Sequence, residues 1–540
     1  MLFHEAIARA LADHGVTTVF GVLGDANLYM MDSFQRDAGG HYYSACNENG
    51  AVLAANGYAR TTGRLGVATV THGPALTNTV TALAEGVRDH TPIVLLAGDT
   101  PVADHTNLQN IPQREVVLAS GAGFEQVRTP QTVTEDLATA IYRAYAESRP
   151  VVLNVPVDFQ WQEIEYQGVR PRLIGTQAVR PDPAALDAAV GIIASARRPV
   201  ILAGRGASTP EARAALLRLA DRLGAPVATT LRGKDLFRGE RFNLGIHGTL
   251  AHAVALDTFN SSDCLIAFGA GLNRWTTAEG SLLAKKHVVQ VDIDRDSINR
   301  WSVVDAGVIG DAATTADTIV TWLDEAGVKP TGFASPELAE RLAAGTDAEY
   351  TDKSTEVTVD IRTALTMIEE AFPADRTVVL DGGRFIRHTF TALSVPEPKA
   401  FVHTLNFGAI GLGMANAVGA YFGAPERPVV MVAGDGGFML GGLAEFSTAV
   451  RHGVDVVVFV MNDGAYGAEY IQFQNKNMDP AISTFTWPDF GPVATALGGE
   501  GYTVHNVAEL QEALTAVGRR TKPMLIDIKL DPAVQADPEG

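Results

Sequence analysis

The sequence predicts an α/β protein of three domains, each a mainly parallel sheet covered by helices. Three observations carry that expectation. Short runs rich in Val and Ile alternate with stretches of helical period along most of the chain, as in sheets buried on both faces. The alternation breaks twice, at residues 166–182 and 330–356, where Pro, Gly and charged residues replace periodic apolar ones. A chain of 540 residues is also too long for one core. The two breaks are read as linkers, and the expected domains are residues 1–165, 183–330 and 357–540.

In the first domain a helix from Phe3 to His14 leads into the strand Val19-Phe20-Gly21-Val22. A strand and loop from Tyr42 to Asn49 feed a helix through Arg60. Then come Val67 to Val70, a helix from Leu76 to Arg88, the strand Ile93 to Leu96, and Val151 to Val155. The middle domain offers strands at Pro199–Ala203, Val227 to Thr230, Cys264–Phe268 and Val288 to Val291. Its Gly204-Arg205-Gly206 follows a strand, but GxG alone is more often a tight turn than a nucleotide loop.

The third domain is organised around Val429 to Gly467. Val429 to Ala433 and Val454 to Met461 read as strands. Between them Leu440, Leu443, Phe446 and Val450 recur at helical spacing. One such crossover makes the strands parallel neighbours ending on the same sheet edge, where ligands of open α/β sheets bind. Asp435, in Gly434-Asp435-Gly436-Gly437, and Asn462, in Asn462-Asp463-Gly464, stand at those two ends. A carboxylate, an amide oxygen and a loop carbonyl are hard ligands suited to Mg²⁺ gripping a diphosphate. The glycines let backbone N–H groups approach phosphates. Val378-Val379-Leu380 and Met524 to Ile528 complete the domain, whose element order repeats that of the first.

Composition narrows the function. A net charge of −20 argues against nucleic-acid binding. Cys46 and Cys264 are too few for a disulfide framework or a structural zinc site. No apolar run reaches membrane-spanning length, and His4 and Glu5 interrupt any signal-peptide core. A reducing, cytoplasmic setting is expected.

The Asp435–Asn462 unit resembles the motif of thiamine-diphosphate enzymes, a GDG followed one crossover later by an Asn. Further segments extend the resemblance to the acetolactate synthase and pyruvate decarboxylase-like superfamily: Val19-Phe20-Gly21-Val22 with Gly24, Thr71-His72-Gly73-Pro74-Ala75-Leu76-Thr77-Asn78, Thr230-Leu231-Arg232-Gly233-Lys234, Leu244-Gly245-Ile246-His247-Gly248 and Gly408-Ala409-Ile410-Gly411. The resemblance implies a pyrimidine-binding first domain, a middle domain and a diphosphate-binding third domain. Glu48, ahead of Asn56-Gly57-Tyr58-Ala59-Arg60, would hydrogen-bond the aminopyrimidine and promote the tautomer that takes the C2 proton. Ile410 would wedge under the cofactor. Cofactor contacts are implied for Gly408, Gly434, Asp435, Gly436, Gly437, Asn462, Gly464, Ala465 and Tyr466, and Mg²⁺ ligation for Asp435, Asn462 and Gly464. A shared site implies a homodimer at minimum, commonly a homotetramer.

Departures bear on the substrate. Gly24-Asp25 replaces two glycines and looks more like the decarboxylase loop, where the Asp shuttles protons. That subfamily has two adjacent His; this chain has Asp104-His105. Its Glu after the Mg²⁺ loop aligns with Ala468, and Glu469 lies about 100° round the helix. Gly269-Ala270-Gly271 lacks the Arg of acetolactate synthases. His72 replaces a Ser; it is either an acid–base group or a side chain bonding its own loop. Gln109 and Gln113 fall where relatives place a Gln over the cofactor, and Gln113 is the site candidate. The expected activity is 2-oxo acid decarboxylation with or without carboligation. The alternatives are cleavage of a 2-hydroxyketone or 1,2-diketone, and a flavin (FAD)-linked 2-oxo acid oxidase.

Overall fold

The computed structural model describes residues 1–104, 106–171, 178–345 and 350–534. His105 and parts of both linkers lie outside them. The chain forms two compact units. One combines Met1–Gly175, Asp352–Leu393 and Val402–Gly540; the other is Thr176–Thr351 with Ser394–Phe401. Among the described residues no helix is long and apolar enough to cross a membrane.

The first unit holds two sheets. The N-terminal one contains β1 (Thr18–Gly21), β2 (His41–Ser44), β3 (Gly66–Val70), β4 (Ile93–Asp99), β5 (Gly123–Gln126) and β6 (Val151–Pro156). Their order is β2-β1-β3-β4-β6-β5, all parallel. The second unit carries β7 (Pro199–Ala203), β8 (Val227–Thr229), β9 (Asn243–Ile246), β10 (Cys264–Phe268), β11 (His287–Asp292) and β12 (Ala306–Ile309). These run β12-β11-β10-β7-β8-β9, the doubly wound order of dinucleotide-binding folds. The C-terminal sheet contains β13 (Thr377–Leu380), β14 (Phe401–His403), β15 (Val429–Gly434), β16 (Val456–Asn462), β17 (Glu500–Val504) and β18 (Met524–Lys529). Its order, β14-β13-β15-β16-β18-β17, repeats that of the N-terminal sheet strand for strand.

Central strands such as β15 and β16 are apolar and buried on both faces, and each sheet is covered by packed helices. The N- and C-terminal sheets share a core, in which Leu412 and Ala415 pack with Val52, Leu53 and Leu76. The joint is made by the helices Glu48–Thr62 and Gly413–Gly423. A side chain at Gly57 would collide with the Asn416 backbone, and one at Gly419 with Ala54. These glycines therefore let the two backbones touch, and Asn56 Nδ2 donates to Asn416 Oδ1 across the contact (3.0 Å).

Four local differences from the sequence reading have physical causes. The expected helix from Leu76 to Arg88 is two, Pro74–Thr77 and Val80–Asp89. At the junction the Thr79 hydroxyl turns back to the Leu76 carbonyl (2.7 Å). The crossover after Asp435 does not enter a regular helix at Leu440. It passes through a π-turn, Phe438–Gly442, before the helix Leu443–His452. That turn leaves Leu440 66% exposed instead of in the core. The stretch read as the second linker holds the helix Pro336–Ala343, capped by Ser335 and burying Leu338 and Ala339. Five strands, β5, β9, β12, β14 and β17, were not expected as strands.

Candidate active site

At the carboxyl edge of the C-terminal sheet, Gly434 of β15 pairs with Met461 of β16. The next residues, Asp435 and Asn462, therefore end neighbouring strands side by side. Among the described residues no three His, Cys, Asp or Glu side chains are grouped so as to hold a metal ion by themselves. The donor set is instead a carboxylate, an amide and a loop. Asp527, fully buried on β18, accepts from Asn462 Nδ2 (2.8 Å). That bond turns Asn462 Oδ1 the other way, toward the Gly464 N–H (3.2 Å). The Gly464 carbonyl accepts from Phe485 N–H (2.7 Å) and keeps a second lone pair.

Asp435 and Asp463 are both buried. Burial, together with repulsion from Asp463, pushes the Asp435 carboxyl well above the usual carboxylate range. Burial also raises Asp463, with Arg384 beside it pulling the other way. Two buried carboxylates with a single neighbouring guanidinium form an electrostatically unfinished group, which a divalent cation would complete. The donor set fits Mg²⁺ on that ground. Trp487 Nε1–H donates to Asp435 Oδ2 (2.8 Å), and Trp487 stacks on Phe485. The Tyr466 ring lies where a Gly436 side chain would be, so only a bare backbone fits beneath it. Ala465 and Tyr466 are fixed by the bridge of Ala465 to Thr484 and by Tyr466 N–H donating to Ser483. Glu469 is exposed on the helix Gly467–Asn475.

Ile410 is half-buried in the loop that joins β14 to the helix Gly413–Gly423. It stands against two bare positions, Gly382 and Gly437. Gly408 and Gly411 adopt φ of 80° and 84° in that loop, a conformation glycine takes without strain. Asp381, fully buried at the end of β13, accepts from the N–H groups of Gly411 (2.9 Å) and Gly413 (3.2 Å). It fixes the loop from below.

The N-terminal sheet supplies different chemistry. Glu48 opens its helix, and Asn78 Nδ2 donates to Glu48 Oε2 (3.0 Å). The amides ahead of it are occupied separately: the Glu445 carboxylate accepts from Cys46 N–H (3.1 Å) and Asn47 N–H (3.2 Å). Asn47 and Asn49, either side of Glu48, face a cavity of about 340 Å³ that Gly411 and Leu440 also line.

Past β1 and β3, Asp25, Thr71 and His72 converge. The Thr71 hydroxyl donates to Asp25 Oδ1 (2.9 Å) and lies 3.1 Å from His72 Nδ1. With its one proton given to Asp25, the Thr71 oxygen can only accept, so Nδ1 carries the His72 proton and Nε2 is the basic nitrogen. His72 is buried and Asp25 exposed. The cluster thus joins a buried imidazole to a solvent-facing carboxylate through one hydroxyl.

Gln113 is placed differently from the other candidates. It is buried, its Oε1 accepting from Gly73 N–H (2.7 Å) and its Nε2 donating to the Gly98 carbonyl (2.8 Å) and to Asn154. Its amide ties the turn at Gly73 to strands β4 and β6. Gln109 is half-buried beside Gly73.

Sequence reading missed Thr71 as a bridge, Asn78 as the Glu48 donor, Asp381, Asp463, Trp487 and Asp527. Asp381 alone carried a usable signal, since it ends an apolar strand as Asp435 does.

Comparison with known proteins agrees with this layout. Residues 1–120 match the model of the thiamine pyrophosphate enzyme N-terminal TPP-binding domain, 186–319 its central domain, and 381–528 its C-terminal TPP-binding domain. The sulfoacetaldehyde acetyltransferase of Castellaniella defragrans is 29% identical over 94% of this chain and 89% of its own. A probable acetolactate synthase large subunit of Methanocaldococcus jannaschii is 27% identical, covering 98% and 92% respectively. The acetolactate synthase large subunit of Haemophilus influenzae is 26% identical, covering 98% and 94%.

Proposed function

The chain belongs to the thiamine-diphosphate-dependent enzymes of the acetolactate synthase and pyruvate decarboxylase-like superfamily, and from that premise we propose that it makes or breaks a carbon–carbon bond next to the carbonyl of a small 2-oxo acid. The reaction is decarboxylation, with or without joining the remaining fragment to a second carbonyl. The observation that supports this most is the pairing of β15 with β16, which sets Asp435 beside Asn462. Relatives named for acetolactate and for sulfoacetaldehyde, both carbonyl compounds, support a small carbonyl compound as reactant.

In this reading Asp435, Asn462 and the Gly464 carbonyl would hold Mg²⁺, and Gly434, Gly436 and Gly437 would present bare backbone to the diphosphate. Ala465, Tyr466, Gly408 and Ile410 would line the cofactor site, with Ile410 as the apolar support for the bound cofactor. Thiamine diphosphate, when bound, supplies a nucleophilic carbon and an electron sink beside the substrate carbonyl. Glu48, held by Asn78, presents its carboxyl to the aminopyrimidine. His72 Nε2 takes or returns a proton at the substrate oxygen, and Thr71 and Asp25 hold its tautomer and link it to solvent. Two chains combine the groups, Glu48 from one meeting Asp435 of its partner.

The Asp25–Thr71–His72 cluster also favours a second reading, cleavage of a 2-hydroxyketone or 1,2-diketone, in which a general base takes the proton of the hydroxyl, or of the water that adds to the diketone, as the carbon–carbon bond breaks. One screen separates the two. Purified enzyme with thiamine diphosphate and Mg²⁺ is offered 2-oxo acids on one side and 2-hydroxyketones and 1,2-diketones on the other, and CO₂ and products are read by mass. CO₂ release from a 2-oxo acid supports the first reading, and hydroxyketone or diketone cleavage without CO₂ the second. Turnover of neither class would refute both.

A further inference from the structure

Ile410 is carried by a loop, yet a wedge under a cofactor has to be rigid. Asp381 pins only the far end of that loop, at Gly411 and Gly413. The near end is pinned by Glu85, which lies on the helix Val80–Asp89 of the N-terminal domain and is fully buried. Glu85 Oε1 accepts from the Asn406 backbone N–H (3.1 Å) and from Asn406 Nδ2 (2.6 Å), and Oε2 accepts from Phe407 N–H (2.7 Å). One turn on, the Arg88 guanidinium sits 5.5 Å from the centre of the Phe407 ring. Asn406 Nδ2 also reaches back to the His403 carbonyl (3.2 Å). Both Glu85 oxygens are thus used on two consecutive residues three and four positions before Ile410.

The same stretch of chain also touches Glu48. Asn78, between the helices Pro74–Thr77 and Val80–Asp89, donates to the Glu48 carboxylate. One segment of the N-terminal domain therefore grips Glu48 at one end and the Ile410 loop of the C-terminal domain at the other. Burying a carboxylate is costly unless its oxygens are satisfied. Here three N–H donors converge on it, and a neutral amide cannot accept at both oxygens.

We propose that Glu85 is a positioning residue for cofactor binding: it clamps the loop that carries Ile410 to the segment that carries Asn78, and so sets the wedge before thiamine diphosphate arrives. The clamp rests on the thiamine-diphosphate reading above for its purpose, though not for its geometry. Glu85→Gln turns an NH₂ toward Phe407 N–H and breaks the clamp while nearly keeping shape. Glu85→Asp keeps two accepting oxygens and shortens the reach.

The test uses full-length protein and three readouts: thermal stability, thiamine diphosphate affinity by calorimetry in saturating Mg²⁺, and amide hydrogen exchange of residues 404–412 without cofactor. In Glu85→Gln, residues 404–412 lose protection and the dissociation constant for thiamine diphosphate rises about tenfold or more, the loss of hydrogen bonds to a charged group. Glu85→Asp recovers part of both. The Michaelis constant for the carbonyl substrate, measured at saturating cofactor, stays put, whereas a general structural defect would shift every constant or none. A folded Glu85→Gln protein with wild-type loop protection and wild-type cofactor affinity overturns the proposal. If Glu85→Gln does not fold, Glu85→Asp decides: reduced loop protection supports the clamp, and unchanged protection and affinity overturn it. Failure of the wild-type chain to bind thiamine diphosphate would instead sink the functional reading, with the exchange measurement still testing the clamp.

Discussion

The N- and C-terminal sheets are wound in the same strand order, yet their carboxyl edges carry opposite chemistry. After β15 and β16 come glycines, two buried carboxylates and an amide whose oxygen Asp527 turns outward. This edge suits a cation and phosphates. After β1 and β3, and at the helix following β2, come Asp25, Thr71, His72 and Glu48, a set of carboxylates, a hydroxyl and an imidazole held by hydrogen bonds, to which the proposed function gives the proton transfers. The fold decides where a ligand can sit, and the few residues at the strand ends decide what happens there. The middle unit, wound in a different order, serves as a control for both.

Variants should separate the two edges. The largest effect is expected at Asp435. Asp435→Ala removes the proposed cation ligand, so the protein should lose bound thiamine diphosphate on gel filtration and lose turnover with it. A chelator should do the same to wild type, reversibly on adding Mg²⁺. Full cofactor occupancy in Asp435→Ala would remove the C-terminal edge from the binding role.

Mixing sharpens the comparison. Glu48→Gln and Asp435→Ala proteins, each inactive alone, should regain some activity after subunit exchange, because mixed dimers hold one intact pair. No recovery despite exchange proven by mass would contradict a site shared between chains.

Trp487→Phe is a smaller change at the same edge. It frees Asp435 Oδ2 while keeping the stack on Phe485, and loss of such a ligand-orienting donor typically weakens a metal by about 10- to 100-fold. Calorimetry of Mg²⁺ binding in the presence of thiamine diphosphate reads it. Wild-type affinity would mean that Trp487 only fills space.

The smallest effect concerns the middle unit. Burial pulls the Lys286 ammonium down to about 8, against about 10.4 for an unfolded chain. Between those values the unfolded chain holds the extra proton, so stability should rise with pH across that window. Lys286→Met should flatten the rise and leave cofactor affinity unchanged. A slope from pH 8 to 10 that survives Lys286→Met assigns it to another group.

How legible the fold was depended on where a strand lies. Interior strands such as β4, β10 and β16 are buried along their length and read as continuous apolar runs. The five strands that escaped reading, β5, β9, β12, β14 and β17, are all sheet edges. β17, Glu500–Val504, is mostly half-exposed, so no apolar run marks it. At the site, Asp435 and Asn462 were visible because they close apolar strands. Trp487, Asp463 and Glu85 were not, because their meaning lies in contacts made across dozens to hundreds of residues. Gln109 and Gln113 are indistinguishable as letters, and only the bonds to Gly73, Gly98 and Asn154 show that the Gln113 amide is occupied.

The central claim is that one edge binds and the other activates, and Glu48→Gln tests it most directly. Gln keeps the shape and the bond from Asn78 but cannot protonate the pyrimidine ring. The measurement is exchange of the C2 proton of bound thiamine diphosphate with D₂O, compared with wild type at equal cofactor occupancy. It needs no knowledge of the substrate. The variant should bind cofactor normally and exchange about 10² to 10⁴ times more slowly, the usual worth of a placed acid–base group. Exchange near the wild-type rate with cofactor bound would reduce Glu48 to a helix-end carboxylate and place activation elsewhere.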